Sequence, residues 1–261
     1  MQSIISLKQR HDDYVRLIQF TDTHIFSDPA ATFDGVDTTQ SLQSVIGHAR
    51  KFNWPPDAIL VTGDLVHDPV PAAYGRLRDM LDKTGQPVFC IPGNHDAPAL
   101  MHKVLEQDNI MTAKAILFSD WLVLMLDTFL PGTHAGMLQR DELEFLDRQL
   151  NAHRKKHVLV CLHHPPVSVG SPWMDKMGLR NPDEFFSIVD KHNHVRAVLW
   201  GHIHQEFNSQ HNQVKLLATP STCVQFMPKA DSYIRDSQAP GYRVLKLFMN
   251  GETETEVLRA G

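Results

Sequence analysis

Short apolar runs alternate with stretches of helical periodicity along most of the chain. Residues 15–20 read as a strand, and residues 38–52 place Leu42, Val45, Ile46 and Ala49 on one face of a helix. Residues 57–65 form a second apolar run. Residues 71–84 form a second helical pattern, with Pro71 at its first position. Residues 87–91 read as a third strand, and residues 114–127 as two strands joined by a turn at Ser119 and Asp120. A strongly amphipathic helix covers 138–153. Strands are expected over 157–162 and 195–200, with a helix near 182–192 between them. The last third turns to β, over 215–218, 242–249 and 253–258. Repeated strand–helix–strand order implies parallel pairing with helices on the outer faces, and the β-rich tail is expected to supply a second sheet. Neither a repeat nor a linker divides the sequence, so a single domain over 1–261 is expected.

Composition narrows the function classes. A length of 261 residues suffices for one large α/β domain with a buried core. The hydrophobic share of 42% and charged share of 21% are those of a soluble globular protein. A net charge of -5 offers no general attraction to DNA or RNA, so no nucleic-acid partner is expected; a small anion needs a local positive charge, such as a metal. No membrane span is expected, because no run of 18 apolar residues occurs. The opening stretch, MQSIISLKQRHDDYVRL, lacks the apolar core of a secretion signal. Cys90, Cys161 and Cys223 are widely spaced, and the first two sit in apolar runs, as buried reduced thiols do. A cytoplasmic enzyme is the expectation. The anomaly is histidine, present 16 times and grouped with Asp or Asn.

Five polar blocks each follow an apolar strand: Asp22-Thr23-His24, Gly63-Asp64, Gly93-Asn94-His95-Asp96, His163-His164 and Gly201-His202-Ile203-His204. The carboxyl ends of strands in an open α/β sheet line one crevice, so residues distant in sequence can converge there. Glycine before Asp64, Asn94 and His202 suits a sharp turn with close backbone approach. Asp-x-His and His-x-His put two side chains on one face of an extended segment. Asp, Asn and neutral His without thiolate suit Mn, Fe, Zn or Co, and seven such ligands exceed the need of one tetrahedral ion. Taken singly, each block also reads as a polar turn; the force of the pattern lies in all five occurring in this order.

That order resembles the calcineurin-like metallophosphoesterase superfamily, whose motifs read D-x-H, GD, GNH(D/E), H and GH-x-H. The segments 201–206, 217–226 and 239–241 are similar to bacterial class III 3′,5′-cyclic-AMP phosphodiesterases. The resemblance implies a four-layer αββα sandwich with a dinuclear site at the carboxyl ends of the strands. It implies two divalent metal ions, Fe, Mn, Zn or Co. One would be held by Asp22, His24, Asp64 and His204, the other by Asp64, Asn94, His163 and His202. Asp64 then bridges both, and His95 is left for acid catalysis or phosphate contact. His24, Asp64, Asn94, His95 and His204 would surround the phosphate of substrate or product. The implied reaction opens 3′,5′-cyclic AMP to 5′-AMP with water held between the two ions, lowering cellular cyclic AMP.

The pattern departs from some relatives at one point. The protein phosphatases carry Asp three residues after the bridging Asp, where it orients the catalytic His; here His67 stands there, Asp68 follows, and the partner of His95 is open. The Asp-Arg-Gly that follows in those phosphatases is absent, which argues against a phosphoprotein substrate. His164 either supports its neighbour or touches substrate. Trp173 with Met174, and Phe226, either cover substrate or anchor the core. His11, His48, His102, His153, His192, His194 and His211 are expected at the surface. Two kinds of rival stand beside cyclic AMP: another diester, such as a glycerophosphodiester, another cyclic nucleotide or, against the net charge, a nucleic-acid end, and a non-catalytic binding scaffold. Monomer and homodimer are equally compatible with the sequence.

Overall fold

In the computed structural model, residues 4–261 are described; residues 1–3, the first of the stretch read for a secretion signal, lie outside them. The apolar runs form strands buried on both faces, as layered sheets require. In Tyr14–Phe20, Val15 and Leu17 pack into the space between two sheets, while Ile18 and Phe20 pack beneath helices. In Ala58–Thr62, Ala58 and Leu60 face inward and Ile59 and Val61 outward, the period of two that a pleated strand dictates.

One sheet has six strands, in the order Thr253–Arg259, Gly241–Phe248, Tyr14–Phe20, Ala58–Thr62, Val88–Ile91, Ile110–Met111. The other has seven, in the order Ile4–Ser6, Ala115–Leu117, Trp121–Met125, His157–Cys161, Val195–Trp200, Val214–Ala218, Phe207–His211. Tyr14–Phe20, Ala58–Thr62 and Val88–Ile91 pair in parallel, as do Trp121–Met125, His157–Cys161 and Val195–Trp200. Helices Thr38–Phe52, Pro71–Asp82 and Pro98–Leu105 cover the outer face of the first sheet; Arg140–Ala152 and Pro182–Val189 cover that of the second. The layers therefore run α, β, β, α. The predicted face of Thr38–Phe52 is the buried one, and Asp37 caps the helix by accepting from the Gln40 amide at 3.0 Å.

The tail departs from expectation. The strands Gly241–Phe248 and Thr253–Arg259 do not build the second sheet; they extend the first, antiparallel to Tyr14–Phe20. The second sheet comes chiefly from the middle of the chain, and of the three expected tail strands the one at Val214–Ala218 does join it, beside Val195–Trp200. A second correction concerns His192 and His194, expected at the surface. Both are buried, packed edge to face at 5.3 Å, because the short turn between Val189 and Val195 folds back against the structure. Cys90, Cys161 and Cys223 are free and buried, and burial pushes their thiols up. Among the described residues, no helix is long and apolar enough to cross a membrane.

The two sheets are also joined by a polar network. Gln19 is fully buried; its amide donates to Thr62 Oγ1 at 2.7 Å and to the Trp200 carbonyl at 3.1 Å, and its oxygen accepts from Thr219. Arg243 is 1% exposed and donates to Thr219 Oγ1 at 3.1 Å, Thr255 Oγ1 at 2.9 Å and the Ala218 carbonyl at 2.8 Å. Burial lowers its guanidinium to about 10, so it remains charged at neutral pH. Arg243→Ala leaves buried acceptors unpaired and opens a cavity. The expected loss is about 2–4 kcal/mol of stability, read as a lower thermal midpoint. An unchanged midpoint would contradict the network's structural weight.

Candidate metal centre

The five polar blocks meet at one end of the sandwich. Their backbone is bent to do so: Asp22, His24, Asp64, His202 and His204 have φ of 53°, 44°, 48°, 67° and 50°. Non-glycine residues adopt this left-handed region rarely, at a cost of order 1–3 kcal/mol each, and persist there only when surroundings enforce it. Here the strand ends are held by bonds between blocks. The Asp22 amide donates to the Gly63 carbonyl at 3.0 Å, the His24 amide to the Asp64 carbonyl at 3.0 Å, and the His202 amide to Asp22 Oδ1 at 3.0 Å.

Two of the glycines at these turns lie against His163. Gly63 has φ of 93°, and a side chain on it would strike the His163 ring. At Gly93 a Cβ would strike both the Asp64 carboxylate and His163. Asp96, the last residue of its block, locks two loops together. It accepts from the Gly93 amide at 2.8 Å, the Leu65 amide at 3.1 Å and the Tyr74 hydroxyl at 3.0 Å. Burial, reinforced by the charge of Asp64, pushes its carboxyl up to about 7.

The donor atoms fall into two groups. In the first, His24 Nε2 lies 3.3 Å from His204 Nε2 and 3.7 Å from Asp64 Oδ2, and His204 Nε2 lies 3.4 Å from Asp22 Oδ1. In the second, His163 Nε2 lies 3.3 Å from Asn94 Oδ1, 3.3 Å from His202 Nδ1 and 3.4 Å from Asp64 Oδ1. Asp64 thus presents one oxygen to each group. Ligands bound at ordinary distances around one ion stand roughly 3–3.5 Å apart.

The orientation of two of these rings suits metal ligation. His204 Nδ1 donates to the Val224 carbonyl at 2.7 Å, and His163 Nδ1 to the Thr62 carbonyl at 2.8 Å. Each bond commits Nδ1 as the donor and turns Nε2 inward, the arrangement found behind metal-bound histidines. Nε2 of His204 faces a second imidazole nitrogen, that of His24. Burial, foremost, holds His24, His164 and His202 well below the ordinary imidazole range, so they are neutral donors. His163 behaves oppositely. Burial opposes its charge, but Asp64, Asp22 and the Thr62 carbonyl outweigh burial and raise it to about 9. Burial likewise opposes ionisation of Asp64, yet His163 and His24 hold its carboxyl well below the usual range. A carboxylate so buried needs cationic neighbours, and the residues fit two cations of borderline character.

The structure brings Asp22, His24, Asp64, Asn94, His163, His202 and His204 together. His95 stands beside them. Its backbone amide donates to Asp64 Oδ1 at 2.9 Å, and its ring lies 4.8 Å from that of His24 and 5.1 Å from that of His67. Asp68 is engaged elsewhere, accepting from the amide and hydroxyl of Ser27. At this point of the motif the side chain near His95 is therefore the His67 ring and not the Asp68 carboxylate. His164 is fully buried, with Nδ1 2.7 Å from Thr128 Oγ1, and belongs to the support behind His163 and His202.

A cleft of about 210 Å³ opens over the donors, lined also by Phe33, His134, Trp173, Met174, Met177 and Phe226. His134 and Phe33 are absent from the sequence motifs. His134 Nδ1 lies 3.2 Å from Asn94 Nδ2, which leaves Asn94 Oδ1 turned toward His163. An exposed loop histidine carries no sequence signal for this contact. Phe226 lies flat on His204, with centroids 3.9 Å apart and planes at 6°.

Comparison with known proteins places this geometry in a lineage. Residues 15–206 match the calcineurin-like phosphoesterase family, a span containing every residue of the five blocks. The chain is 38% identical over 260 residues to the 3′,5′-cyclic adenosine monophosphate phosphodiesterase CpdA of Escherichia coli K12, covering 99% of this chain and 94% of that protein. It is also 38% identical over 248 residues to CpdA of Pseudomonas aeruginosa, covering 95% and 91%. Among solved structures, a dimetal phosphatase from Danio rerio aligns with a TM-score of 0.62 at 13% identity, covering 96% of this chain and all of that one. A Plasmodium protein described as the anchor in the inner membrane complex aligns at 0.66 with 15% identity, covering 95% and 85%. At such identities the structural likeness is one of fold alone, and that fold serves more than one purpose. Sequence match, fold and the order of the five blocks agree: the chain belongs to the calcineurin-like phosphoesterase family.

Proposed function

We propose that this protein hydrolyses 3′,5′-cyclic AMP to 5′-AMP at a dinuclear metal centre. The observation that carries the reading is the near end-to-end similarity to phosphodiesterases named for that substrate. The convergent donor set supports it. Asp22, His24, Asp64 and His204 would hold one ion, and Asp64, Asn94, His163 and His202 the other, with Fe, Mn, Zn or Co suited to the ligands. Bound there, two such ions supply an acidified water and a positive field for phosphoryl oxygens.

The protein's own groups have separable tasks. Asp64 holds the two donor sets in one frame, and the Thr62 and Val224 carbonyls fix the rings of His163 and His204. His95 borders the cleft without belonging to either donor group, placed to meet the phosphoryl group and to give a proton to the departing oxygen. In the reaction, a P–O bond forms from water, the bond to ribose O3′ breaks, and that oxygen receives the proton. The cyclic diester is a compact monoanion with two free oxygens. The product 5′-AMP carries more charge and has no second ester bond to cut.

Three outcomes test this reading. With Mn or Fe supplied, kcat/KM for cyclic AMP should exceed that for a glycerophosphodiester, 5′-AMP should not be cut, and a chelator should abolish turnover. A strong preference for the glycerophosphodiester would remove the named substrate while leaving the diesterase class. Asp64→Ala should lose or misplace both metals and lower the rate by more than roughly a hundredfold; near-normal turnover with both metals present is the contrary result. His95→Ala should keep its metal content while slowing hydrolysis by on the order of 10²–10⁴. Loss of one metal equivalent from that variant would make His95 a ligand instead.

A further inference from the structure

The cleft has two chemically different parts. Its floor holds the polar side chains: His24, Asp64, Asn94, His95, His202 and His204, with His134 beside Asn94. Its wall is Phe33, Trp173, Met174, Met177 and Phe226. A phosphodiester needs only the floor. An apolar wall against it implies a substrate whose alcohol carries a flat apolar group.

The wall is firmly mounted. Trp173 lies in the short helix Pro172–Asp175, reached from His163 through Pro165 and Pro166. Asp175 accepts from the Val169 amide and the Ser168 hydroxyl, each at 2.7 Å, and Ser171 Oγ accepts from the Lys229 amide at 2.8 Å. The indole packs against Phe226 at 5.4 Å and Tyr233 at 6.0 Å. Phe226 has one face covered by His204, so it serves as backing. Met174 is buried, whereas Trp173 and Met177 stay partly exposed where they border the cleft. Large apolar side chains half-open to a cleft above a polar floor have an unused face.

We propose that Trp173 and Met177 form the platform on which the nucleobase of the substrate lies, with the cyclic phosphate on the polar floor. The inference rests on the cyclic-nucleotide reading of this site. In a 3′,5′-cyclic nucleotide the phosphate is fused to one side of the ribose and the base projects from C1′, so one compact molecule spans floor and wall. Aromatic and thioether surfaces bind any base through its π-face. The one hydrogen-bonding side-chain group in the wall is the indole N–H of Trp173, which is itself buried, so the edge of the base meets little polar surface there. The platform therefore separates nucleoside diesters from alkyl diesters while distinguishing adenine from guanine only weakly.

The test compares cyclic AMP with methyl ribofuranoside 3′,5′-cyclic phosphate, the same cyclic diester without a base. The readout is the ratio of their kcat/KM values in wild type, Trp173→Ala and Trp173→Phe, each checked for full metal content. Trp173→Ala should lower the ratio by about ten- to a hundredfold, chiefly through KM for cyclic AMP, and Trp173→Phe should restore most of it. A merely structural tryptophan would lower both substrates together and leave the ratio unchanged, which overturns the platform. If wild type cuts cyclic AMP no better than the baseless diester, the platform also falls while diester hydrolysis stands. If wild type cuts neither, the cyclic-nucleotide reading falls and takes the platform with it.

Discussion

A carboxylate with almost no contact with water must be neutralised where it stands, and Asp64 is that carboxylate. It is 3% exposed, lies between two clusters of imidazoles and receives the backbone amide of His95. Asp64 raises the proton affinity of the His163 imidazole while His163 lowers that of the Asp64 carboxylate, two views of the same pair. The surrounding features serve this demand. Two glycines let His163 and Asp64 approach the neighbouring turns, Asp96 ties their loops together, and backbone carbonyls turn the Nε2 atoms of His163 and His204 inward.

The layered fold makes that concentration affordable. The left-handed conformations at Asp22, His24, Asp64, His202 and His204 each cost free energy that the loops cannot recover alone. Two sheets packed face to face supply it, because Leu17, Leu60, Phe89, Val123, Leu159 and Leu199 are removed from water between them. The Gln19–Thr219–Arg243 network crosses the same interface and fixes how the sheets sit against each other. Asp22, His24, Asp64 and Asn94 follow strands of one sheet and His163, His202 and His204 follow strands of the other, so each donor group is closed across both sheets and its spacing depends on how they pack.

Much of this was legible in the sequence, for identifiable reasons. Strands buried on both faces leave dense apolar runs, and a strand end carrying a ligand leaves Asp, Asn or His just beyond. The amphipathic stripe of Leu42, Val45, Ile46 and Ala49 gave one helix face directly. What stayed hidden depends on partners distant in sequence. The edge strand Phe207–His211 is largely polar and gains its form by pairing with Val214–Ala218. The helix Pro98–Leu105 is short and immediately follows a motif that reads as a turn. His192 and His194 look like loop residues until the turn is folded back. His134 and Phe33 reach the cleft from loops with no periodicity. The placement of the tail could not be read locally, because either sheet could have accepted another hydrophobic strand.

That placement bears on how the molecule comes to be folded during synthesis. Tyr14–Phe20, which leads into Asp22, pairs on one side with Ala58–Thr62 and on the other with Gly241–Phe248, where Val244 meets Ile18. Until residues 241–248 leave the ribosome, one edge of this early strand has no native partner, and its row of amides and carbonyls is open to other chains. Closing it joins segments separated by most of the sequence, a slow step in any chain. The corner that would grip the first metal is therefore among the last parts to be consolidated. A nascent chain arrested before residue 241 would carry Asp22 and His24 on a strand still missing one of its two neighbours.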